Sequence, residues 1–189
     1  RRQRQMCIRD SIGTAQSLTT VLQAAELLRE ETTLRWHIVG DGSELGNLKA
    51  IVREKRLDNV IFHGRKPPEE MPAYYAQADA MLVTLTADKF ISLTLPGKVQ
   101  TYMAAGKPII GAAIGEIPQV IEAAQCGWCA GAEDAAGLAE RLARGDERGG
   151  QLADRQLGLV DQQTLVRHGG RERRRNRAHL PVSYTHLTL

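Results

Sequence analysis

The residues best suited to chemistry lie in one stretch. Pro96-Gly97-Lys98-Val99-Gln100-Thr101-Tyr102-Met103-Ala104-Ala105-Gly106-Lys107-Pro108 runs into Ile109-Ile110-Gly111. A tight Pro-Gly turn, a lysine at a helix start, a short helix stopped by glycine and then an apolar strand describe a cradle for a nucleotide phosphate. The first turn of a helix leaves backbone N–H groups unpaired, and the aligned peptide dipoles make that end partly positive. Gly97 lets the backbone approach an anion closely, and Lys98 adds a full positive charge. On these residues alone the plain alternative stays open: an ordinary loop, helix and strand of an α/β sheet, with Lys98 merely solvated.

Other reactive residue types carry less. Cys126-Gly127-Trp128-Cys129 has the spacing of a redox pair, and Cys7 is the third cysteine of an odd, sparse set. An activated thiol sits at a helix N-terminus just after a strand. This pair instead follows a helical segment and enters an extended one, so a thiol-disulfide role is disfavoured. A structural zinc would need a second ligand pair, which the spacing does not offer. His37 and His63 fall in predicted strands, where packed or surface histidines outnumber acids and bases. His168, His179 and His186 lie near the chain's end, and Glu69-Glu70 reads as a pair of acids at a helix start. No Asp-x-Asp occurs, which argues against a metal-bridged diphosphate. The expectation is no metal and no cofactor.

The elements that would position the cradle follow from hydrophobic period. A helix is predicted from Thr14 to Glu30, with Leu18, Val21, Leu22, Ala25 and Leu28 on one face. Strands are predicted at 34–39, 60–63, 79–85, 109–112 and 128–130. Between them fall helices led by Ser43 as N-cap, by Pro67-Pro68-Glu69-Glu70, by the cradle, and by Gly115-Glu116-Ile117-Pro118; a last one carries Leu138 and Leu142. Continuous apolar strands separated by amphipathic helices mean a parallel sheet covered on both faces. The fold class is α/β, a Rossmann-like doubly wound parallel sheet. Ligands of such sheets bind at the carboxyl edge of the strands. That gathers four loops into one crevice: 40–43, 64–68, 86–98 and 113–118.

The chain has 189 residues, 42% of them hydrophobic, enough for one core and some surplus. Its formal charge of +3 is unevenly placed. Residues 1–10 hold four arginines against Asp10, and residues 147–189 hold eight arginines against four acids, which leaves the middle at −4. A basic folded surface is therefore absent and nucleic acid is not an expected partner. No apolar run is long enough to span a bilayer and the start lacks the apolar core of a signal peptide, so a cytoplasmic location is expected. Both ends look foreign. Residues 1–10 offer no strand ahead of the first helix, and Met6-Cys7-Ile8-Arg9-Asp10 and Val182-Ser183-Tyr184-Thr185-His186-Leu187-Thr188-Leu189 resemble translated linker sequence. The expected organisation is a non-native or disordered flank at 1–10, a Rossmann-like domain at 11–146, and a basic, disordered or non-native tail at 147–189.

Several motifs in order carry a resemblance: Ile38-Val39-Gly40-Asp41-Gly42, then Asn59-Val60-Ile61-Phe62-His63-Gly64-Arg65, then Tyr74-Tyr75-Ala76-Gln77-Ala78-Asp79-Ala80, then the cradle. From Ser11 to Arg144 the chain resembles the C-terminal, donor-binding domain of GT-B fold, family-4 retaining glycosyltransferases, near the branch that builds bacterial surface polysaccharides. The resemblance implies one half of a GT-B architecture that binds a nucleotide-sugar donor, a UDP-sugar in the first reading. An acceptor domain would precede it, and the acceptor would be lipid-linked or a saccharide, with peripheral association at the inner face of the membrane. It further implies that Gly40, Asp41 and Gly42 line the nucleotide, that Phe62 to Arg65 border the base, and that Thr94, Leu95, Pro96, Gly97 and Lys98 wrap the sugar-diphosphate. Gly115 and Glu116 would sit on the next loop, and Lys98 would be the catalytic cation. Many members place two glutamates eight positions apart here; this chain has Leu93 and Thr101, so a hydroxyl stands where a carboxylate would hold ribose. The rival expectations are half of a sugar-nucleotide epimerase and a non-catalytic nucleotide-binding module.

Overall fold

The computed structural model describes residues 4–144, with the side chains of residues 9 and 10 left aside. The expected tail at 147–189 lies outside the described residues. Twelve elements alternate in the order β1 (Arg4–Ser11), α1 (Leu18–Leu27), β2 (Leu34–Asp41), α2 (Leu45–Lys55), β3 (Val60–Gly64), α3 (Met71–Gln77), β4 (Ala80–Thr84), α4 (Gly97–Ala104), β5 (Ile109–Ala112), α5 (Glu116–Ala123), β6 (Gly127–Ala130) and α6 (Ala135–Ala143). The six strands form one parallel sheet in the order β3-β2-β1-β4-β5-β6. Chain direction across the sheet therefore reverses between β1 and β4, the switch point of a doubly wound fold.

One expectation fails at the start of the chain. Residues 1–10 offered no strand, yet Arg4–Ser11 is one of the two central ones. Arg4 to Ser11 pair in register with Leu34 to Asp41, and Met6 and Cys7 pair with Ala80 and Met81. The apolar part is only Met6, Cys7 and Ile8, all buried. With charged residues on both sides that run is too short to stand out by hydrophobicity. It gains its place from two neighbouring strands.

Alternation along the strands divides the core in two. Ile8, Trp36, Ile38, Leu82 and Ile110 face α1, α2 and α6, where Val21, Leu22, Leu48, Leu138 and Leu142 complete the layer. Cys7, Val39, Met81, Val83 and Ile109 face α3, α4 and α5, meeting Met71, Tyr75, Val99, Tyr102, Ile117 and Ile121. Three helices thus cover each face, and burial of one large side chain such as Leu82 contributes about 1.5–3 kcal/mol.

Two helix starts differ from the sequence reading. Thr14–Gln16 forms a separate 3-10 turn because Ser17 takes φ 45°, and α1 proper begins at Leu18. Ser43 does not cap α2; the residue before that helix is Glu44, whose side chain makes no capping bond.

Candidate functional site

In a parallel sheet every helix that follows a strand starts at the carboxyl edge. All six helices, α1 to α6, therefore begin on the same side, and the partial positive ends of their backbones share that edge. The sequence-predicted residues all lie there. Gly40, Asp41 and Gly42 close β2, Arg65 follows β3, Thr94 to Lys98 lead into α4, and Gly115 and Glu116 follow β5. With neighbouring strands about 4.8 Å apart, β3 and β5 stand about 19 Å apart across this edge.

Packing fixes the cradle. Val99 and Tyr102, three residues apart on α4, are both buried, and Tyr102 meets Tyr75 of α3 edge-on with ring centroids 5.9 Å apart. Anchoring that face leaves Lys98 half-buried and Gly97 exposed at the first turn. Pro96, at φ −61° and ψ 137°, sits just before the helix, and the Val99 N–H donates to the Pro96 carbonyl at 2.9 Å. Thr101 is exposed on the next turn, where its hydroxyl donates to the Gly97 carbonyl at 3.2 Å. Its oxygen keeps acceptor capacity toward a ligand hydroxyl.

The loop before α4 is held by its own side chains. Asp88 Oδ1 accepts from the N–H groups of Phe90 and Ile91 at 2.8 and 2.9 Å, Ser92 donates to the Lys89 carbonyl at 2.8 Å, and Thr94 donates to the Ile91 carbonyl at 2.7 Å. Ile91 and Leu95 pack against the second core layer, while Phe90 and Leu93 stand 84% and 72% exposed. Gly115 locks the neighbouring loop against this one. Its φ is 81°, and a Cβ there would lie 2.1 Å from the Ser92 carbonyl oxygen. Only glycine fits both the backbone angle and the space. Glu116 follows as an exposed acid in the first turn of α5, favourable for the dipole but repulsive to a phosphate.

The β2 loop is coupled to one that sequence reasoning missed. The Ile12 N–H donates to the Asp41 carbonyl at 2.8 Å, and the Glu44 N–H donates to the Ile12 carbonyl at 3.1 Å. A Cβ on Gly42 would lie 2.3 Å from the Ile12 carbonyl oxygen, so that glycine is there for close approach. Asp41 Oδ1 accepts from the Gly42 N–H at 2.8 Å. The same β1 loop reaches across the switch point, where Thr86 N–H donates to the Ala15 carbonyl at 3.0 Å and the Thr84 hydroxyl donates to the Gln16 carbonyl at 2.5 Å. Residues 12–16 thus join the β2 and β4 loops. Gly13 after an apolar residue is the signal the sequence offers for this loop, and it stands out only once a strand precedes it.

Three features fall outside the site. A pocket of about 290 Å³, lined by Arg29, Glu30, Thr32, Arg35, Arg56, Asp58 and Asn59, lies beyond the ends of α1 and α2, at the opposite edge of the sheet. Two of its arginines bond backbone carbonyls: Arg29 donates to that of Lys55 at 3.1 Å and Arg35 to that of Asp58 at 3.0 Å. Cys126 follows α5 and contacts the Ile121 carbonyl, and burial pushes the Cys126 thiol up to about 11 and Cys129 to about 12. Such thiols are inert at neutral pH, as their position after a helix led one to expect. Among the described residues no three His, Cys, Asp or Glu side chains converge, and no helix is long and apolar enough to cross a membrane.

Comparison with known proteins agrees with this geometry. Residues 11–145 match the family described as "Glycosyl transferases group 1". The chain is 30% identical over 130 residues to the amylovoran biosynthesis glycosyltransferase AmsK of Erwinia amylovora, an alignment covering 67% of this chain and 32% of that protein. It is 29% identical over 122 residues to N-acetyl-alpha-D-glucosaminyl L-malate synthase of Bacillus anthracis, covering 64% and 30%. The chain spans about a third of the length of these curated relatives. In fold it is similar to Anabaena Alr3699/HepE in complex with UDP and glucose, at TM-score 0.66 and 18% identity over 82% of this chain and 42% of that one. It also resembles the C-terminal domain of a group 1 family protein, LpcC, from Francisella tularensis, at TM-score 0.62 and 20% identity over 79% and 78%.

Proposed function

Since the chain belongs to the group 1 glycosyl transferases, we propose that it is the donor half of a retaining enzyme that moves a sugar from a UDP-sugar to a lipid-linked or saccharide acceptor. The observation that carries this reading is the meeting of the α4 start, Lys98 and the glycine-locked β5 loop at the switch-point edge. The named UDP complex of a similar fold supports the choice of nucleotide.

Transfer breaks the bond between the sugar's anomeric carbon and the diphosphate, so negative charge grows on the leaving oxygens. Fixed donors aimed at that charge stabilise the transition state most. Lys98 would supply a cation there and the first turn of α4 the backbone donors. Arg65 and the Gly40-Asp41-Gly42 turn would hold the nucleoside, and Thr101 would accept from a ribose hydroxyl in place of a carboxylate. Glu116 would accept from sugar hydroxyls. No metal is required in this scheme, because the cations of the chain take that role. An acceptor domain would belong to the part of the relatives that this chain does not span, and peripheral contact with a membrane would come with a lipid-linked acceptor.

The epimerase alternative asks carboxylates to converge on one sugar carbon. Asp41 and Glu116 stand on loops of β2 and β5, three strand spacings or about 14 Å apart, and the Asp41 carboxylate already accepts the Gly42 N–H. The test is a UDP titration of the chain followed by amide chemical shifts. Shifts grouped at Gly40 to Gly42, Arg65, Thr94, Leu95, Gly97, Lys98 and Gly115 are expected. Shifts grouped at the Arg29 and Arg56 pocket, or none at saturating UDP, would overturn the reading.

A further inference from the structure

His37 of β2 and His63 of β3 sit side by side on the sheet face covered by α3. His37 Nδ1 and His63 Nε2 are 2.8 Å apart, and the rings lie nearly parallel, 11° between planes and 5.1 Å between centroids. Tyr74 of α3 meets His63 edge-on at 5.1 Å. His63 immediately precedes Gly64, whose φ of 68° turns the chain toward Arg65. The pair therefore sits at the base of the turn assigned above to the nucleotide.

A short contact between two imidazole nitrogens needs one hydrogen and one lone pair. His37 Nε2 is buried with no partner among the described residues. A hydrogen on that atom would be an unpaired buried donor, so the lower-energy tautomer carries it on Nδ1. His37 Nδ1–H then donates to His63 Nε2. An added proton has two destinations, and each is costly. On His37 Nε2 it leaves the hydrogen bond in place but creates a buried charge without an acceptor; on His63 Nε2 it sets donor against donor unless His37 moves its own hydrogen to the unpartnered Nε2.

The surroundings give no relief. Arg35 on β2 and Lys66 after β3 are cations, Glu70 is paired with Lys66 at 3.7 Å, Lys66 Nζ lies 6.0 Å from the Tyr74 ring, and Cys7, opposite His37 on β1, stays a neutral thiol, pushed up to about 12 by burial. Both imidazoles are held below their ordinary value. Burial is the main cause for each, followed by His63 and Arg35 for His37 and by Lys66 for His63.

We infer that the His37–His63 hydrogen bond is a positioning device for the donor site: neutral, it holds the end of β3 and the Arg65 turn in the nucleotide-binding arrangement, and on gaining a proton it opens and weakens nucleotide binding. This rests on the donor-site reading above.

The experiment compares the wild-type chain with His37→Asn/His63→Gln. The Asn amide nitrogen falls near the place of Nδ1 and the Gln amide oxygen near that of Nε2, so the hydrogen bond is kept and neither group titrates. UDP affinity and amide-exchange protection at Gly64, Arg65 and Lys66 are measured at about pH 8 and about pH 5.5, on either side of the ordinary histidine value. The terminal phosphate of UDP titrates in the same window and affects both proteins equally. The wild type is expected to lose about fivefold more affinity than the variant, with protection lost at those three amides. Parallel losses in the two proteins, or unchanged wild-type protection in acid, would overturn the inference while leaving the donor site intact. Wild type that fails to bind UDP at about pH 8 would overturn both. Should the double variant fail to fold, the wild-type protection measurement decides on its own.

Discussion

Replacement of Lys98 by alanine tests the cradle most directly. Two unit charges 4 Å apart interact by about 4 kcal/mol at an effective dielectric of 20 and about 1 kcal/mol in water. Lys98 is half-buried at the first turn of α4, between those limits. The expected loss of UDP affinity is about 1.5–3 kcal/mol, or about 10- to 150-fold in Kd. Calorimetric titration measures it, with three controls. Uridine, which lacks the diphosphate, should lose little. Raising ionic strength should narrow the gap between wild type and variant by screening. Lys107→Ala should leave UDP affinity unchanged, because Lys107 precedes β5 at the opposite edge, where its Nζ donates to the Ala76 carbonyl at 3.0 Å. Equal affinity of wild type and Lys98→Ala for UDP, or an equal loss for uridine and UDP, would refute the electrostatic argument.

Gly115→Ala forces a Cβ to 2.1 Å from the Ser92 carbonyl oxygen at φ 81°; it should destabilise the domain by about 2–4 kcal/mol in urea unfolding and weaken UDP binding by displacing the Ser92 to Thr94 segment. Thr101→Glu places a carboxylate where the resembled family has one, so UDP affinity should rise by about 1 kcal/mol, with no gain for 2′-deoxy-UDP; a gain shared by both nucleotides would remove ribose from the account. The lowered values of His37 and His63 mean that the unfolded chain binds protons more readily than the folded one. Their contribution to stability is present above about pH 6.5 and is lost as the pH falls below it. The urea midpoint should therefore drop between about pH 8 and about pH 5, and drop less in His37→Asn/His63→Gln. In the proposed scheme cations of the chain take the place of a metal, so UDP affinity should be the same with and without a chelator.

The parts of this fold that were legible in sequence share a property: they carry their own local signal. Ile109-Ile110 between Pro108 and Gly111 is apolar and bounded by breakers, and it is β5. The cradle announced its helix through Pro96, Gly97 and Gly106, and α4 runs from Gly97 to Ala104, stopped by Gly106 at φ 65°. Strand β1 has no such signal, because its pairing with β2 and β4 comes from residues 34–41 and 80–81, far along the chain. The loop at 12–16 was hidden for the same reason, and with it the link between the two sides of the crevice. The histidine pair was out of reach altogether. His37 and His63 each read as an ordinary strand residue, and their chemistry exists only because β2 and β3 are neighbours.

The distribution of charge and apolar surface along the carboxyl edge fits one side of a cleft better than a finished active site. Lys98 and Arg65 can hold an anion, yet Asp41 and Glu116 lie too far apart to act together on one carbon, and Phe90 and Leu93 project from a loop that its own hydrogen bonds hold in shape. Holding large apolar side chains in water costs hydrophobic free energy, which a binding surface recovers when it is covered. Glu116 points the same way. An acid beside a phosphate site is unfavourable for the ground-state anion but well suited to hydrogen-bonding a neutral sugar beyond it. The edge thus grades from cationic at the α4 start to acidic at α5, the order in which a diphosphate and its sugar would be met.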